Sequence, residues 1–252
     1  MNKLSIVIPA YNEEDNIERT VRAFYEELKA EGIDHEILVI NDNSKDRTLA
    51  VLERLEKEMF TLRHLTNTAP NGYGYACQKG LNHFVGDCVA VVMGDLSDDP
   101  KDLVRFYRTM EAEGCDMVFG TRWAKESVVV NYPKTKLWLN RLVNHGIRFL
   151  FGFRYDDVTN GFKLFSRGTV EGLRPFLSGQ FSLALELPLK AIIRGYSYKV
   201  IPNNWYNREV GKSNLKLKPM FFRYAFILNY CLNERMFSMG DYKRGKMDIG
   251  RK

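Results

Sequence analysis

Short apolar runs alternate with longer stretches whose apolar positions recur every three or four residues. Leu4 to Pro9, Glu36 to Ile40, Leu62 to Leu65, Val89 to Met93 and Asp116 to Gly120 read as buried strands. Between the first two, Glu13 to Ala30 lines up Ile17, Val21, Phe24 and Leu28 on one face of a helix. Asn12 is its expected cap, Glu13, Glu14 and Asp15 suit the partial positive charge of a first turn, and Gly32 ends it. Thr48 to Lys57, a stretch after a glycine-rich turn that ends near Phe84, and Pro100 to Glu113 also read as helices. Asp99 and Pro100 form a cap and first position for the last of these. The second half is less regular, with helices expected over Lys136 to Phe151 and Leu183 to Arg194 and a short strand over Gly161 to Phe165.

This rhythm predicts an α/β fold: a doubly wound, mostly parallel sheet with helices on both faces. Ligands on such sheets bind beyond the carboxyl ends of the strands. Three polar loops lie there by sequence: Tyr11-Asn12-Glu13, Asn41-Asp42-Asn43-Ser44 and Gly94-Asp95-Leu96-Ser97-Asp98.

Composition changes this picture little. The chain has 252 residues, of which 45% are hydrophobic and 27% charged, enough for a sizeable core and an ordinary soluble surface. The net charge of +6 is uneven, with acids concentrated in the first hundred residues and Lys and Arg from Lys199 onward. A basic end suits an anionic surface, phospholipid headgroups or nucleic acid, or is a solvated tail. Cys77, Cys88, Cys115 and Cys231 are widely spaced, which indicates neither a zinc site nor a disulfide framework and fits a reducing, cytoplasmic location. No signal peptide is expected, nor any transmembrane helix, because no run of about 20 uncharged apolar residues occurs.

Three segments carry candidate chemistry. Asp42, just past a strand, can bond a base or ribose, or can start an Asx-turn. Met93-Gly94-Asp95-Leu96-Ser97-Asp98-Asp99-Pro100 offers carboxylates for a hard divalent cation on a diphosphate, which needs one or two of them plus substrate oxygens. Asp99 also reads as a helix cap. Asn71-Gly72-Tyr73-Gly74-Tyr75-Ala76 has glycines that let backbone approach a ligand, but it is neither a P-loop nor GxGxxG.

Taken in order, these segments resemble the motifs of family 2 glycosyltransferases, in particular the dolichol-phosphate mannose synthase branch. Ser5 to Glu14 is similar to the first motif and Ile40 to Thr48 to the second. Gly94 to Pro100 falls at the DxD metal motif, Gly120-Thr121-Arg122 resembles GSR, Thr159 to Lys163 resembles the SGF segment, and Arg208 to Ser213 resembles RxxGxS. The resemblance spans about residues 4 to 215. It implies a GT-A fold, inversion at the anomeric carbon, and a catalytic domain over 1–215 followed by a C-terminal segment, 216–252. It further implies that Pro9, Tyr11, Glu13, Asp42 and Asp95 hold the nucleotide sugar, and that Mg2+ or Mn2+ is bound by Asp95 with Asp98. Arg122 and Arg208 would meet donor or acceptor phosphates, with Lys212 and Ser213 beside them, and Asp95, Arg122 and Arg208 would carry catalysis. Met93 replaces the first Asp of DxD and cannot ligate a hard cation, and Asn214 replaces the basic residue usual after the final Ser.

Family members acting on hydroxyls supply an Asp from an ED motif. The comparable stretch here, Gln180 to Leu187, has none. A phosphate acceptor needs no base, which favours a polyprenyl phosphate; Glu186 reads either as a base or as a helix residue paired with a nearby cation. Pro219 to Leu232 is apolar nearly all round and follows Lys212, Lys216 and Lys218, so it reads as an interfacial helix or as one packed in a core or dimer interface. The expected partners are thus a nucleotide-sugar donor, a polyprenyl phosphate or glycan acceptor and, peripherally, the cytoplasmic face of a membrane, with no nucleic acid. A catalytically weak sugar-nucleotide binder and a transferase for a soluble glycan hydroxyl are the alternatives.

Overall fold

The computed structural model describes residues 3–207 and 217–245. A seven-stranded sheet forms its middle, built from β1 (Leu4–Ala10), β2 (His35–Asn41), β3 (Leu62–Thr66), β4 (Cys88–Val91), β5 (Met117–Thr121), β7 (Lys163–Ser166) and β8 (Tyr198–Pro202). Their spatial order is β3-β2-β1-β4-β7-β5-β8. The β1–β2, β1–β4, β2–β3 and β5–β8 pairs are parallel; β7 lies antiparallel between β4 and β5. β4 and β5 therefore point the same way, and every strand but β7 ends on one edge. A small parallel pair, β6 (Val129–Val130) with β9 (Trp205–Tyr206), lies apart from this sheet.

Alternation along the strands makes two apolar layers. Leu4, Ile6 and Ile8 of β1 face one layer with α1 (Ile17–Ala30), α2 (Thr48–Glu58) and α4 (Pro100–Glu113). Val7 faces the other, with α3 (Tyr73–His83), α5 (Lys134–Phe151), α6 (Arg167–Gly172), α7 (Leu183–Ile193) and α8 (Leu217–Phe237). The expected doubly wound, mostly parallel sheet is present. Strand β8, the β6–β9 pair and the reversed direction of β7 are additions to the expected pattern. They fall in the second half, where apolar runs are short and interrupted.

Two boundaries differ from expectation for a physical reason. Asn12 does not cap the first helix, which starts at Ile17 after Asn16. Instead Asn12 takes φ 53°, its N–H donates to Ser44 Oγ at 3.0 Å, and its Oδ1 accepts from the Lys45 N–H at 2.8 Å. A residue expected to serve one helix thus ties the β1 loop to the β2 loop. Strand β4 stops at Val91, because Met93 turns its N–H away from the sheet onto Asp98 Oδ2 at 2.9 Å. Asp99 caps α4 as expected, accepting from the Lys101 N–H at 3.0 Å, and Gly32 ends α1 at φ 64°.

All four cysteines are buried and unbridged. Helix α8 runs for 21 residues and buries Ile227 and Cys231 against the second layer while exposing Phe221, Phe222 and Phe226. Among the described residues no helix is long and apolar enough to cross a membrane.

Candidate active site

The strand order places the loops after β2, β1 and β4 side by side. The Asp42 N–H donates to the Ala10 carbonyl at 2.8 Å, which joins the first two. Gly94 sits so near Pro9 and Glu13 that a Cβ there would lie 3.4 Å from the Pro9 carbonyl oxygen and 3.8 Å from Glu13 Cγ, which joins the third. Pro9, Tyr11, Glu13, Asp42 and Asp95 therefore share one edge of the sheet. Tyr11 is exposed there, and the Glu13 carboxylate accepts from Asn16 Nδ2 at 2.8 Å.

Asp42 is buried and already engaged. Its Oδ1 accepts from Asn67 Nδ2 and its Oδ2 from the Gly72 N–H, each at 2.7 Å. It holds the start of α3 against the end of β3. The glycine-rich turn there accommodates protein backbone, not open space for a ligand. A Cβ on Gly74 would lie 2.3 Å from the Ser178 carbonyl oxygen, and one on Gly72 would lie 2.7 Å from that of Gly179. This close approach seats residues 178–180 on α3, and the Tyr73 and Phe181 rings stack at 4.3 Å beside it.

The loop after β4 separates its carboxylates. Asp95 is half-buried at the mouth, with Oδ1 accepting from the Ser97 N–H at 3.2 Å. Asp98, expected as a second metal ligand, is turned inward onto the Met93 N–H and is 3% exposed. Burial pushes its carboxyl up to about 7, against the pull of that N–H. Asp98 thus braces the loop. Among the described residues no group of three or more His, Cys, Asp or Glu is gathered for a metal. What remains for a hard cation is Asp95 together with diphosphate oxygens, a donor set Mg2+ accepts.

At the end of β5, Arg122 is buried and held by Asp157, a partner not anticipated from the sequence. Nε and the backbone N–H donate to Asp157 Oδ2 at 2.8 and 3.0 Å, and Nη2 donates to Oδ1 at 2.7 Å. Burial would pull the guanidinium down, but Asp157 holds it above the ordinary arginine range. Much of the fork expected to meet phosphates is thus already spent on a carboxylate. Tyr155 Oη and Asn160 Nδ2 both donate to the Gly120 carbonyl, at 2.8 and 2.9 Å, and Asn160 Nδ2 also reaches Asn203 Oδ1 at 3.0 Å. A Cβ on Gly120 would collide with Asn203 Oδ1 at 2.4 Å, which explains the glycine in this motif. Beneath lies Lys163, 1% exposed, whose amine is pushed by burial down to about 7 although Asp157 opposes the shift. The Asp157 role carried a faint signal, an acid pair just before the Thr159-Asn160-Gly161 segment.

Glu186 is not a base. It is fully buried, paired with Lys190 Nζ at 2.6 Å, and accepts from the Leu177 and Ser178 N–H groups at 2.8 Å each. It fixes the segment that seats on α3. Arg208, Lys212 and Ser213 lie outside the described residues. The described chain leaves off at Asn207, whose N–H donates to the Val130 carbonyl, and the preceding Tyr206 N–H donates to Ser97 in the β4 loop.

The sequence profile described as Glycosyl transferase family 2 matches residues 5–174, which contain the β1, β2, β4 and β5 loops. The chain belongs to glycosyltransferase family 2. This transferase is 27% identical to the polyprenol monophosphomannose synthase of Mycolicibacterium smegmatis over 253 residues, covering 98% of this chain and 89% of that one. It is 28% identical to the dolichol-phosphate mannosyltransferase of Pyrococcus furiosus over 228 residues, covering 87% of this chain but 61% of that one. It is also 28% identical to the glycosyltransferase AglD of Haloferax volcanii, spanning 33% of that protein's length. Its fold is GT-A. It matches glucosyl-3-phosphoglycerate synthase from Mycobacterium tuberculosis, solved with Mn2+, uridine diphosphate and phosphoglyceric acid, with a TM-score of 0.68 at 19% identity over 93% of this chain and 78% of that one. Another structure of that synthase contains Mg2+ and uridine diphosphate.

Proposed function

We propose that the transferase moves a hexose from a nucleotide-diphosphate sugar to a polyprenyl phosphate, with inversion at the anomeric carbon. The observation that carries this reading is the engagement of four carboxylates, two beside the end of β5, one in the loop after β4 and one on α7. Asp157 is bound to Arg122, Asp156 to Thr121, Asp98 to the Met93 amide and Glu186 to Lys190. Each already accepts a hydrogen bond or ion pair within the protein, and a phosphate oxygen arrives as an anion and needs no base. The names of the relatives from Mycolicibacterium smegmatis and Pyrococcus furiosus support the same acceptor class.

In this reading the loops after β1 and β2 hold the nucleoside, Pro9, Tyr11 and Glu13 on one side and Asp42 on the other. The acceptor oxygen attacks the anomeric carbon as the bond from that carbon to the diphosphate breaks, and nucleoside diphosphate leaves. Asp95 would hold a Mg2+ or Mn2+ together with the diphosphate, and the cation would neutralise charge on the leaving group. Met93, standing where the family's motif has a carboxylate, would offer such a cation no hard ligand. Arg122, neutralised by Asp157, shapes the wall beside the reaction, and Arg208, Lys212 and Ser213 bring further phosphate-binding groups.

A lipid-bound acceptor places the enzyme on a membrane, at its cytoplasmic face. Residues 1–215 form the catalytic domain in this proposal, and the segment 216–252 joins α5 in meeting the lipid. Helix α5 has no acidic residue and exposes Trp138, Leu142 and Phe149. Helix α8 lies beside its far end, Arg235 donating to the Phe151 carbonyl at 2.5 Å, and exposes Phe221, Phe222 and Phe226. Aromatic side chains flanked by lysine and arginine suit an interfacial helix. The test is a competition between a prenyl phosphate and the matching prenyl alcohol, with released nucleoside diphosphate as the readout. Transfer to the phosphate alone supports the reading; transfer to the alcohol alone defeats it.

A further inference from the structure

A cavity of about 720 Å³ lies where α7 and α8 end, a volume within the range of ordinary ligand sites. It is far from the catalytic edge, because its lining residue Arg244 is bound to Asp116, just before β5 begins, whereas Arg122 follows the end of that strand. Its outer wall is the segment 238–245. The chain reverses there: the Asp241 N–H donates to the Ser238 carbonyl at 2.9 Å, with Met239 at φ 51° and Gly240 at φ 76°. Positive φ at both central positions makes a tight turn that glycine takes freely and methionine does not. The turn brings the Arg244 N–H onto the Arg194 carbonyl at 2.8 Å, so the outer wall is tied back to the end of α7.

Four cations line this cavity against one carboxylate, Glu234. Arg194 spends Nε and Nη2 on Glu234 at 2.7 Å each, and Arg244 is paired with Asp116. The other two are Arg235, which gives Nη1 to the Phe151 carbonyl at 2.5 Å, and Lys243. Among the described residues neither is within ion-pair distance of a carboxylate. Lys246 to Lys252 lies outside those residues and by sequence carries three cations and one side-chain carboxylate, so it brings no surplus of negative charge. Ile193, Met236 and Met239 give the same cavity an apolar lining, and Phe237 is exposed beside them. Helix α5 connects this place to the catalytic edge. Its Asn140 donates to Thr159 Oγ1 at 2.9 Å, next to the Asn160 that binds the Gly120 carbonyl, and its last residue, Phe151, accepts from Arg235. A membrane lying along the exposed side chains of α5 therefore reaches the catalytic edge at one end and the cavity at the other.

We propose that this cavity binds the headgroup phosphate of an anionic phospholipid that is not the acceptor, with Lys243 and Arg235 as its cationic partners. This rests on the membrane reading given above. The phosphate would supply the negative charge these two side chains lack, through charge-assisted hydrogen bonds, and the fatty chains would lie on Met236, Phe237 and Phe149. Such a site makes the enzyme prefer anionic membranes and fixes the pair α5 and α8 against the surface at the end away from the chemistry.

The experiment uses the full chain with vesicles of phosphatidylcholine, alone or mixed with phosphatidylglycerol, and with dihexanoyl phosphatidylglycerol below its micelle concentration as a soluble probe. The wild type should bind the mixed vesicles about tenfold or more tightly than the neutral ones, and should bind the soluble probe saturably. Lys243→Ala should cut the vesicle preference about fivefold, and adding Arg235→Gln should remove most of what is left. Ile193→Trp fills the cavity and leaves every charge in place, so it should lose the probe and the preference together. In all three variants turnover of a soluble short prenyl phosphate should stay as in the wild type. A loss of preference in Lys243→Ala with none in folded Ile193→Trp marks general attraction to a charged surface and overturns the proposal. Absence of saturable probe binding by the wild type overturns it whether or not Ile193→Trp folds, as does binding of inorganic phosphate as tight as that of the probe. A wild type that binds both kinds of vesicle equally also overturns it, and leaves the membrane reading standing. A wild type that ignores every vesicle removes the membrane reading, and this proposal with it.

Discussion

Replacing Asp157 with Asn is the sharpest probe of how the β5 end is built. Asp157 is fully buried and receives three hydrogen bonds from Arg122, at 2.7, 2.8 and 3.0 Å. An Asn of the same shape keeps one accepting oxygen and sets an NH2 donor against a guanidinium N–H. It also leaves a buried cation without its counter-charge. Breaking one side of a buried pair costs about 3–5 kcal/mol. For a chain of this size each kcal/mol lowers the midpoint of thermal unfolding by about 2–4 °C. Melting followed by circular dichroism should therefore fall by roughly 6–20 °C. Turnover should drop as well, because the freed Arg122 fork no longer fixes the wall beside the acceptor. Arg122→Met with Asp157→Leu removes both charges and should recover much of the stability but not the activity. A single Asp157→Asn variant melting within 2 °C of wild type would refute the reasoning, since the pair would then be of no structural consequence.

Other perturbations address the remaining parts. Asp95→Ala should abolish transfer with the melting temperature kept, and donor affinity should lose its dependence on added Mg2+ or Mn2+; wild-type turnover would remove Asp95 from the site. Asp42→Ala should weaken donor binding by about 1.5–3 kcal/mol, part of it through the loosened Asn67 and Gly72 contacts; calorimetry showing unchanged donor affinity would contradict this. Changing Phe149, Phe222 and Phe226 together to Ser should lower binding to anionic vesicles while the soluble reaction persists; equal binding by the folded variant would show that these faces do not meet lipid.

The parts of the molecule legible in the sequence are those where local pattern and tertiary need agree. The strands β1 and β2 and the helix α4 are nearly continuous apolar or cleanly periodic, and their places match expectation. The edge loops were legible because a parallel sheet must bring them together once the strands are assigned. Asn12 and Glu186 were harder to read, because each has a local role that a distant partner overrides. Asn12 is a good cap by type, yet its best hydrogen bonds lie across the loop at Ser44 and Lys45. Glu186 could have been a base, and the deciding fact is burial beside Lys190, of which its neighbours in the chain give only a hint. The glycines at 72 and 74 show the same limit. Sequence says that something approaches closely, and only the packing says that it is the backbone at 178–180. Asp98 and Asp95 are alike by position, and one hydrogen bond to Met93 separates them.

The central claim is that a sugar passes from a nucleotide diphosphate to a prenyl phosphate. Its most direct test incubates the pure enzyme with a panel of nucleotide sugars, Mg2+ or Mn2+, and a polyprenyl phosphate, and identifies the product by mass spectrometry. The account predicts equal amounts of nucleoside diphosphate and a glycosyl phosphoprenol whose anomeric configuration is inverted relative to the donor. Nucleoside diphosphate released only in the presence of a hydroxyl acceptor, with the prenyl phosphate recovered unchanged, would contradict it.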